Sequence, residues 1–205
     1  MKIAVRMGAA LILLAIAGVM AVYMGAGAAF RPVSAAVEIG AAMPAFALKD
    51  VNGAEHTLAQ YQGKVIVLVF CSKECPYSRG ADPDLNALAA KYAGKDVVFL
   101  GVDSHSATSP ADIKKYAEET KIPYPILKDE ANRYADAVGA KVTPETFVVD
   151  KEGKLAYHGA FDNRTGPEAE ATEHYVANAI EAVLAGRSAP VQQVKAWGCS
   201  IRRVT

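Results

Sequence analysis

The chain has 205 residues, enough for one ordinary domain plus an appendage and too few for two full-sized domains. Hydrophobic residues make up 52% and charged residues 21%, which excludes intrinsic disorder, collagen-like repeats and a disulfide-dense mini-protein. The 22 basic residues balance the 22 acidic ones, but residues 1–36 hold basic residues and no acid, so the rest of the chain is mildly acidic. Such a body offers no footprint for a phosphate backbone, and we expect no nucleic-acid partner.

The amino end carries an apolar segment. Lys2 and Arg6 precede Met7–Phe30, a run of 24 uncharged residues that could cross a membrane as a helix. Small residues at 34–36 offer a signal-peptidase site. We therefore predict that residues 1–36 are either a cleaved signal peptide or a retained membrane anchor. Because the basic flank stays inside, the body is predicted to be extracytoplasmic, in the periplasm or secreted, where disulfides persist.

The first half of the body shows a hairpin, a buried strand and a helix. Residues 46–48 and 56–57 flank Asn52-Gly53, which is a hairpin-turn signal. The β-branched run Val65–Phe70 predicts a strand buried on both faces, and it ends at Cys71. Asp82-Pro83 is a typical helix start and predicts a helix that runs from there to Gly94.

The second half continues the alternation of strands and helices. Residues 97–102 predict another buried strand, and residues 124–127 and 146–149 predict shorter ones, the last paired with residues 155–157 across Glu152-Gly153. Helices are predicted from Ser109-Pro110 to Thr120, over residues 131–138, and over residues 167–185. This order predicts an α/β domain with a mixed central sheet flanked by helices. Ligands meet such sheets at the carboxyl ends of the strands, and the loop Cys71–Tyr77 lies at such an end.

The cysteine loop carries a resemblance to a known superfamily. Residues 67–78, VLVFCSKECPYS, resemble the strand-to-helix redox loop of thioredoxin-like proteins, and residues 142–154 resemble the loop of that fold in which the proline, here Pro144, is usually cis. The stretch 155–162 with the terminus Gly198-Cys199-Ser200-Ile201 is similar to a peroxiredoxin-like redoxin branch. The resemblance covers about residues 37–205 and implies a thioredoxin-like fold.

The resemblance implies thiol-disulfide chemistry with Cys75 as nucleophile, because this cysteine precedes Pro76. Its position at the end of a strand and before a proline also predicts that the thiol is exposed. A thiol at a strand-to-helix turn gains from the helix dipole and unpaired N–H groups, which favour the thiolate. Ser78 stands where the family carries its resolving cysteine, so the resolving thiol is expected to be Cys199, in a tail that the resemblance suggests folds back, or Cys71. The Thr143-Pro144 loop is expected to expose backbone for pairing with a substrate chain.

Three alternatives remain open. A thiol peroxidase would need an arginine where Pro144 stands and a proline where Leu68 stands. Cys71 and Cys75 also resemble the copper loop of Sco-like carriers, and two thiolates suit Cu(I), although no histidine lies at the proline loop. A non-enzymatic interaction module that keeps the fold is the third.

Taken together, the sequence predicts a signal or anchor over residues 1–36, a redoxin domain over residues 37–186, and a tail over residues 187–205 that carries Cys199. It predicts no metal and no cofactor. The expected partners are a protein disulfide or thiol, or a peroxide, together with a thiol reductant.

Overall fold

The computed structural model describes residues 36–204. The apolar segment Met7–Phe30 lies outside this range. Within residues 36–204, no helix has the length and apolar character that crossing a bilayer requires.

A mixed eight-stranded sheet forms the centre of the domain. Its strands are β1 (Ala47–Asp50), β2 (Glu55–Thr57), β3 (Val65–Phe70), β4 (Val97–Asp103), β5 (Ile126–Lys128), β7 (Glu145–Val149), β8 (Leu155–Gly159) and β9 (Gln193–Val194), in the order β2-β1-β5-β4-β3-β7-β8-β9. The β3–β4 and β4–β5 pairs are parallel, whereas β7 pairs antiparallel with both β3 and β8. The predicted hairpins and buried strands are therefore present, in a mixed sheet.

The central strand β3 explains how the two faces of the sheet are filled. Its side chains alternate between the faces, as a strand requires, and all six are buried. One face holds Ile66, Leu68 and Phe70 in a core cluster, and the other holds Val65, Val67 and Val69. The continuous apolar run was the correct signal, because a strand covered on both sides needs apolar residues at every position.

Four α-helices cover the sheet: α1 (Pro76–Lys91), α2 (Pro110–Glu119), α3 (Arg133–Val138) and α4 (Tyr175–Leu184). Short 3₁₀ turns precede β3, at Leu58–Tyr61, and α3, at Glu130–Asn132. Residues of α3 pack in the first core cluster, and residues of α1 and α4 pack in the second. The sheet is thus flanked by helices on both faces, as predicted.

The predicted start of the first helix is wrong. Helix α1 begins at Pro76 rather than at Pro83, with Cys75 as its N-cap. Pro76 is also a proline at a first helical position, so the chain offered two starts with the same local chemistry. Pro83 lies inside the helix, where it cannot donate a backbone hydrogen bond. Arg164 donates to the Gly80 carbonyl oxygen beside this interruption, at 2.8 Å.

The predicted start of the last helix is also wrong. Helix α4 begins at Tyr175 rather than at Pro167. The Asn163 side chain accepts hydrogen bonds from the N–H groups of Thr172 and Glu173, at 2.9 and 3.0 Å, which fixes this stretch as a loop. Pro167 also lies close against α1: a Cβ added at Gly80 would come within 2.0 Å of the Pro167 carbonyl oxygen.

The chain after α4 folds back over the body, as the resemblance suggested. Strand β9 adds to the sheet beside β8 in parallel. Strand β10 (Cys199–Ser200) pairs antiparallel with β6 (Val142–Thr143), and the two form a separate small sheet. The tail therefore reaches the loop that contains Pro144.

Candidate active site

The loop between β3 and α1 turns the chain at the carboxyl edge of the sheet. The Cys71 N–H still donates to the Val102 carbonyl oxygen, at 3.0 Å, which continues the ladder between β3 and β4. The Cys75 N–H donates to the Ser72 carbonyl oxygen, at 3.1 Å, and closes a turn before α1 begins. Cys71 therefore ends the strand, whereas Cys75 caps the helix.

Three groups surround the Cys75 sulfur. Its thiol donates to the Thr143 carbonyl oxygen at 2.9 Å, the Ser78 N–H donates to the sulfur at 3.4 Å, and the Cys199 sulfur lies 2.6 Å away. The Ser78 N–H belongs to the first turn of α1, where unpaired N–H groups stabilise negative charge. The exposed surface expected for this thiol is absent, since Cys75 is only 2% exposed. The C-terminal tail of the chain and the loop with Thr143 lie against the Cys75 thiol and cover it.

Strand β10 holds Cys199 at Cys75. In the register of the small sheet, Cys199 lies opposite Thr143, and Ser200 lies opposite Val142. Burial, followed by the hydrogen bond with Cys75 and the Cys75 charge, raises the pKa of the Cys199 thiol to about 11, although the Tyr77 N–H acts in the opposite direction. All three cysteines are free thiols, and 2.6 Å is longer than a disulfide bond of about 2.05 Å.

The loop that carries Thr143 and Pro144 has the conformation that the resemblance implies. The Thr143-Pro144 peptide bond is cis, and both residues adjoin the cysteine pair through the Thr143 carbonyl group. Gly198 packs against this carbonyl, because a Cβ added at Gly198 would lie 2.0 Å from the oxygen. Gly198 also has a φ of +132°, a conformation that favours glycine.

Cys71 has different surroundings. It borders a cavity of about 10 Å³ that Asp82, Tyr116 and Tyr124 also line, and its sulfur lies near Gly101. Burial raises the pKa of the Cys71 thiol well above its ordinary value, and the charges of Asp103 and Asp82 raise it further. The structure therefore brings Cys75, Cys199, Thr143 and Pro144 together and sets Cys71 apart.

Polar residues of the loop have structural partners. The Ser78 hydroxyl accepts from the Ser72 N–H, at 3.1 Å, so the residue at the expected resolving position holds the loop closed. Lys73 forms an ion pair with Glu74, at 2.8 Å, on the surface. These two opposite charges of the loop are therefore paired with each other.

A buried, hydrogen-bonded Glu-His pair behind the Pro144 loop was not predicted. Glu145, 4% exposed, accepts from the N–H groups of Lys141 and Val142 through one oxygen, and its other oxygen lies 2.6 Å from Nε2 of His158. Burial raises the pKa of Glu145, but the hydrogen bonds from His158 and the two N–H groups outweigh it and leave the pKa lowered. The glutamate thereby braces β6 against the main sheet. Its direct succession to Pro144 was the one sequence signal.

The contacts through which Trp197 and Arg164 support the tail were also not predicted. Trp197 donates through Nε1 to the Asp162 carbonyl oxygen, at 3.0 Å, and its ring lies beside that of Tyr77. Arg164 binds both carboxylate oxygens of Asp162 and reaches Asp84 on α1.

A copper carrier of the kind that the Cys71–Cys75 loop resembles needs several side chains grouped around the metal ion. Within residues 36–204, no group of three or more His, Cys, Asp or Glu side chains is arranged to hold a metal ion.

Comparison with known proteins adds to this geometry. The model of the AhpC/TSA family matches residues 39–158. The thiol-disulfide oxidoreductase ResA of Geobacillus thermodenitrificans is 32% identical over 120 residues, which span 58% of this chain and 68% of the relative. Peroxiredoxin Q of Populus jackii, a chloroplastic protein, is 30% identical over 144 residues, which span 62% of this chain and 63% of the relative.

One solved structure is similar to this chain over most of the length of both proteins. An uncharacterised conserved protein of Geobacillus kaustophilus superposes with a TM-score of 0.77 at 31% identity, covering 83% of this chain and 95% of the other. The thioredoxin-like fold therefore extends beyond the family match at residue 158.

Proposed function

We propose, from the premise that this chain belongs to the AhpC/TSA family of thioredoxin-like redoxins, that it is a thiol-disulfide oxidoreductase with Cys75 as nucleophile and Cys199 as resolving thiol. One observation carries the assignment of roles: the two sulfur atoms lie 2.6 Å apart at the carboxyl edge of the sheet. The similarity to ResA supports the reaction class.

The first step is attack on a disulfide. The Cys75 thiolate attacks one sulfur of the substrate, the substrate S–S bond breaks, and the departing thiolate takes up the proton that the Cys75 thiol has lost. The first turn of α1 supports this step, because its dipole and the Ser78 N–H stabilise negative charge on the Cys75 sulfur. The product is a mixed disulfide between Cys75 and the substrate.

The second step releases the substrate. Cys199 attacks the Cys75 sulfur, the mixed disulfide breaks, and the substrate leaves as a thiol with the proton from Cys199. Two electrons pass from the protein to the substrate, and the Cys75–Cys199 disulfide remains for an external thiol reductant. The raised pKa of Cys199 supports this order, because it keeps Cys199 protonated while Cys75 attacks. The reverse sequence oxidises a dithiol substrate.

The proposal includes the location of the reaction. Residues 1–36 direct the body out of the cytoplasm as a signal peptide or anchor, residues 37–186 form the redoxin domain, and residues 187–205 form the tail. The basic amino flank and the apolar run of residues 7–30 support an extracytoplasmic location, because such a segment directs the export of the chain that follows it. An extracytoplasmic space is also where a disulfide persists.

Disulfide mapping combined with single variants tests the proposal. Peptide mapping of the oxidised protein is expected to show a Cys75–Cys199 bond, with Cys71 reduced. Cys75→Ser is expected to abolish the reduction of a small aromatic disulfide, whereas Cys71→Ala is expected to retain it. A Cys71–Cys75 bond, or full activity of Cys75→Ser, would contradict the proposal.

Reduction of hydroperoxides is a second candidate, favoured by the similarity to peroxiredoxin Q. The Cys75 thiolate would attack a peroxide oxygen, break the O–O bond, form a sulfenic acid and release water or an alcohol. The Cys199 thiol would then attack the sulfenic sulfur, so that the S–O bond breaks, water leaves and the Cys75–Cys199 disulfide forms. Pro144 stands where peroxiredoxins carry the arginine that polarises the peroxide. Consumption of hydrogen peroxide by the reduced protein at a rate above that of its disulfide exchange would establish this candidate instead.

A further inference from the structure

We propose that the tail segment 197–204 occupies the place where an extended polypeptide substrate pairs with the protein, so that a polypeptide disulfide must displace this segment before Cys75 reacts, whereas a small disulfide need not. The inference rests on the proposed function of Cys75. The inference names polypeptide disulfides as a class of substrate that reacts slowly while the segment is in place. It also gives the tail a second role, because the segment covers Cys75 as well as supplying the Cys199 thiol.

The first support is the covering of the nucleophile. Cys75 is 2% exposed, and its contacts include the tail sulfur and the Thr143 carbonyl oxygen. A small disulfide needs only the Cys199 side chain to turn aside from the Cys75 sulfur, whereas an extended chain also needs the backbone of the segment to leave. The tail therefore stands in the path of any large substrate.

The second support is the pairing of the tail with β6. Cys199 lies opposite Thr143 in an antiparallel register, which is the way an added peptide strand binds a free sheet edge. A polypeptide with a reactive cysteine would need the same backbone groups of β6 to set its sulfur at Cys75. Those groups already serve the tail, and the main-chain bonds of one strand edge cannot serve two chains.

The third support is the anchoring of the tail on both sides of Cys199. Before it, Trp197 donates to the Asp162 carbonyl oxygen, at 3.0 Å. After it, Ile201 is buried in the core, and its N–H donates to the Lys141 carbonyl oxygen, at 2.9 Å. The Val204 N–H donates to the Asn132 side chain, at 2.8 Å. These contacts hold the segment independently of the cysteine, so they persist when no disulfide is present.

Gly198 is the position at which a substitution should separate the segment from β6. A side chain there would collide with the Thr143 carbonyl oxygen, at 2.0 Å from the Cβ, yet Gly198 is itself exposed and outside the core. A bulky substitution should therefore lift β10 from β6 and leave the body folded. Ser200, on the same strand, has an exposed side chain and offers a matched control.

The experiment compares two disulfides in the full-length protein with Cys199→Ser, so that only attack by Cys75 is measured. The probes are 5,5′-dithiobis(2-nitrobenzoate), a small disulfide, and insulin, a polypeptide disulfide. Gly198→Val is expected to raise the rate with insulin by about 10-fold or more, equivalent to about 1.4 kcal/mol, and to change the rate with the small disulfide less than about 2-fold. Ser200→Ala is expected to change neither rate.

A second variant keeps the inference testable if Gly198→Val fails to fold. Ile201→Ala weakens the anchor at a different point and is expected to show the same selective gain with insulin, with circular dichroism reporting the fold of each variant. Equal gains with both disulfides, or no gain with insulin in either variant, would overturn the inference while leaving the proposed function intact. A Cys75 that reacts with neither probe in any variant would overturn the proposed function itself.

Discussion

Cys71 and Cys75 lie four positions apart in the sequence and have opposite surroundings in the fold. Cys75 caps a helix and meets a second thiol, a carbonyl group and a helix N–H. Cys71 ends a strand and faces a small cavity with Asp82 and the tyrosines, where burial and neighbouring acids raise its pKa. Negative charge is thus disfavoured at the Cys71 sulfur, whereas the Cys75 sulfur lies next to a second thiol and an N–H donor. The reactivity of a cysteine follows from the element that it ends or begins.

The carboxylates near the two cysteines differ in the same way. Glu145, behind the Pro144 loop, has three hydrogen-bonding contacts that favour its charged form. Asp82, near Cys71, is 5% exposed and has a pKa raised to about 6, mainly by burial, against the hydrogen bond from Tyr116. The two groups should therefore affect stability with opposite dependence on pH.

The largest expected effect separates the roles of the thiols. Cys199→Ser should slow release of the substrate from the Cys75 mixed disulfide by about 1,000-fold or more, because an aligned intramolecular thiol is replaced by one from solution. Mass spectrometry of the protein mixed with a small disulfide should show the adduct accumulating. Cys71→Ala is the control and should show none. An adduct that accumulates in the Cys71 variant but not in the Cys199 variant would reverse the comparison.

Removal of the charge on Glu145 is expected to cost less. Its folded pKa lies below the unfolded value of about 4.3, so its stabilisation is present above that pH and is lost as the pH falls through the folded pKa. Glu145→Gln breaks a buried pair and should lower the free energy of unfolding at pH 7 by about 3 kcal/mol, with a smaller difference from the native protein at pH 3. Urea denaturation at both pH values measures this.

Glu74→Gln is the control for this variant, since Glu74 lies in a surface ion pair and its substitution should leave the unfolding free energy unchanged. A Glu145→Gln protein with the same stability difference at pH 3 and pH 7 would show that packing, and not charge, accounts for the loss.

Substitution of Asp82 is expected to have an effect on stability no larger than that of Glu145→Gln, and of opposite sign. Because the folded pKa of about 6 exceeds the unfolded value of about 3.9, the native protein loses stability as the pH rises between these values. Asp82→Asn removes this loss and should stabilise the fold at pH 8 by up to about 3 kcal/mol, and by less at pH 4. Thermal unfolding at the two pH values checks it. Glu118→Gln, an exposed change on α2, should show no such dependence, and a destabilised Asp82→Asn at pH 8 would contradict the prediction.

Much of the fold could be predicted because its signals are local. The run Val65–Phe70 identified the central strand, and Ser109-Pro110 identified the start of α2. The starts of α1 and α4 were wrong for a different reason: Pro76 and Pro83 satisfy the same local rule, and contacts with distant residues decided between them. The Asn163 hydrogen bonds that shorten α4 reach nine and ten residues along the chain, farther than one helical turn.

The candidate site divides in the same way. Cys75, Cys199 and Thr143-Pro144 could be named from the resemblance, and the structure brings them together. Glu145 with His158, and Arg164 with Asp162, were missed as pairs, because nothing in their spacing shows that opposed strands and loops place them in contact. The expected exposure of Cys75 was wrong because the residues that cover it come from the far end of the chain.

The sequence by itself determined the layered α/β fold, the strand-to-helix turn with Cys75, and the family to which the chain belongs. These depend on hydrophobic periodicity and on short motifs, which act over a few residues. Only the tertiary structure decided which thiol meets Cys75 and which remains buried. That choice depends on β10 pairing with β6, a contact between segments more than fifty residues apart, and side-chain spacing along the chain carries no information about such a distance.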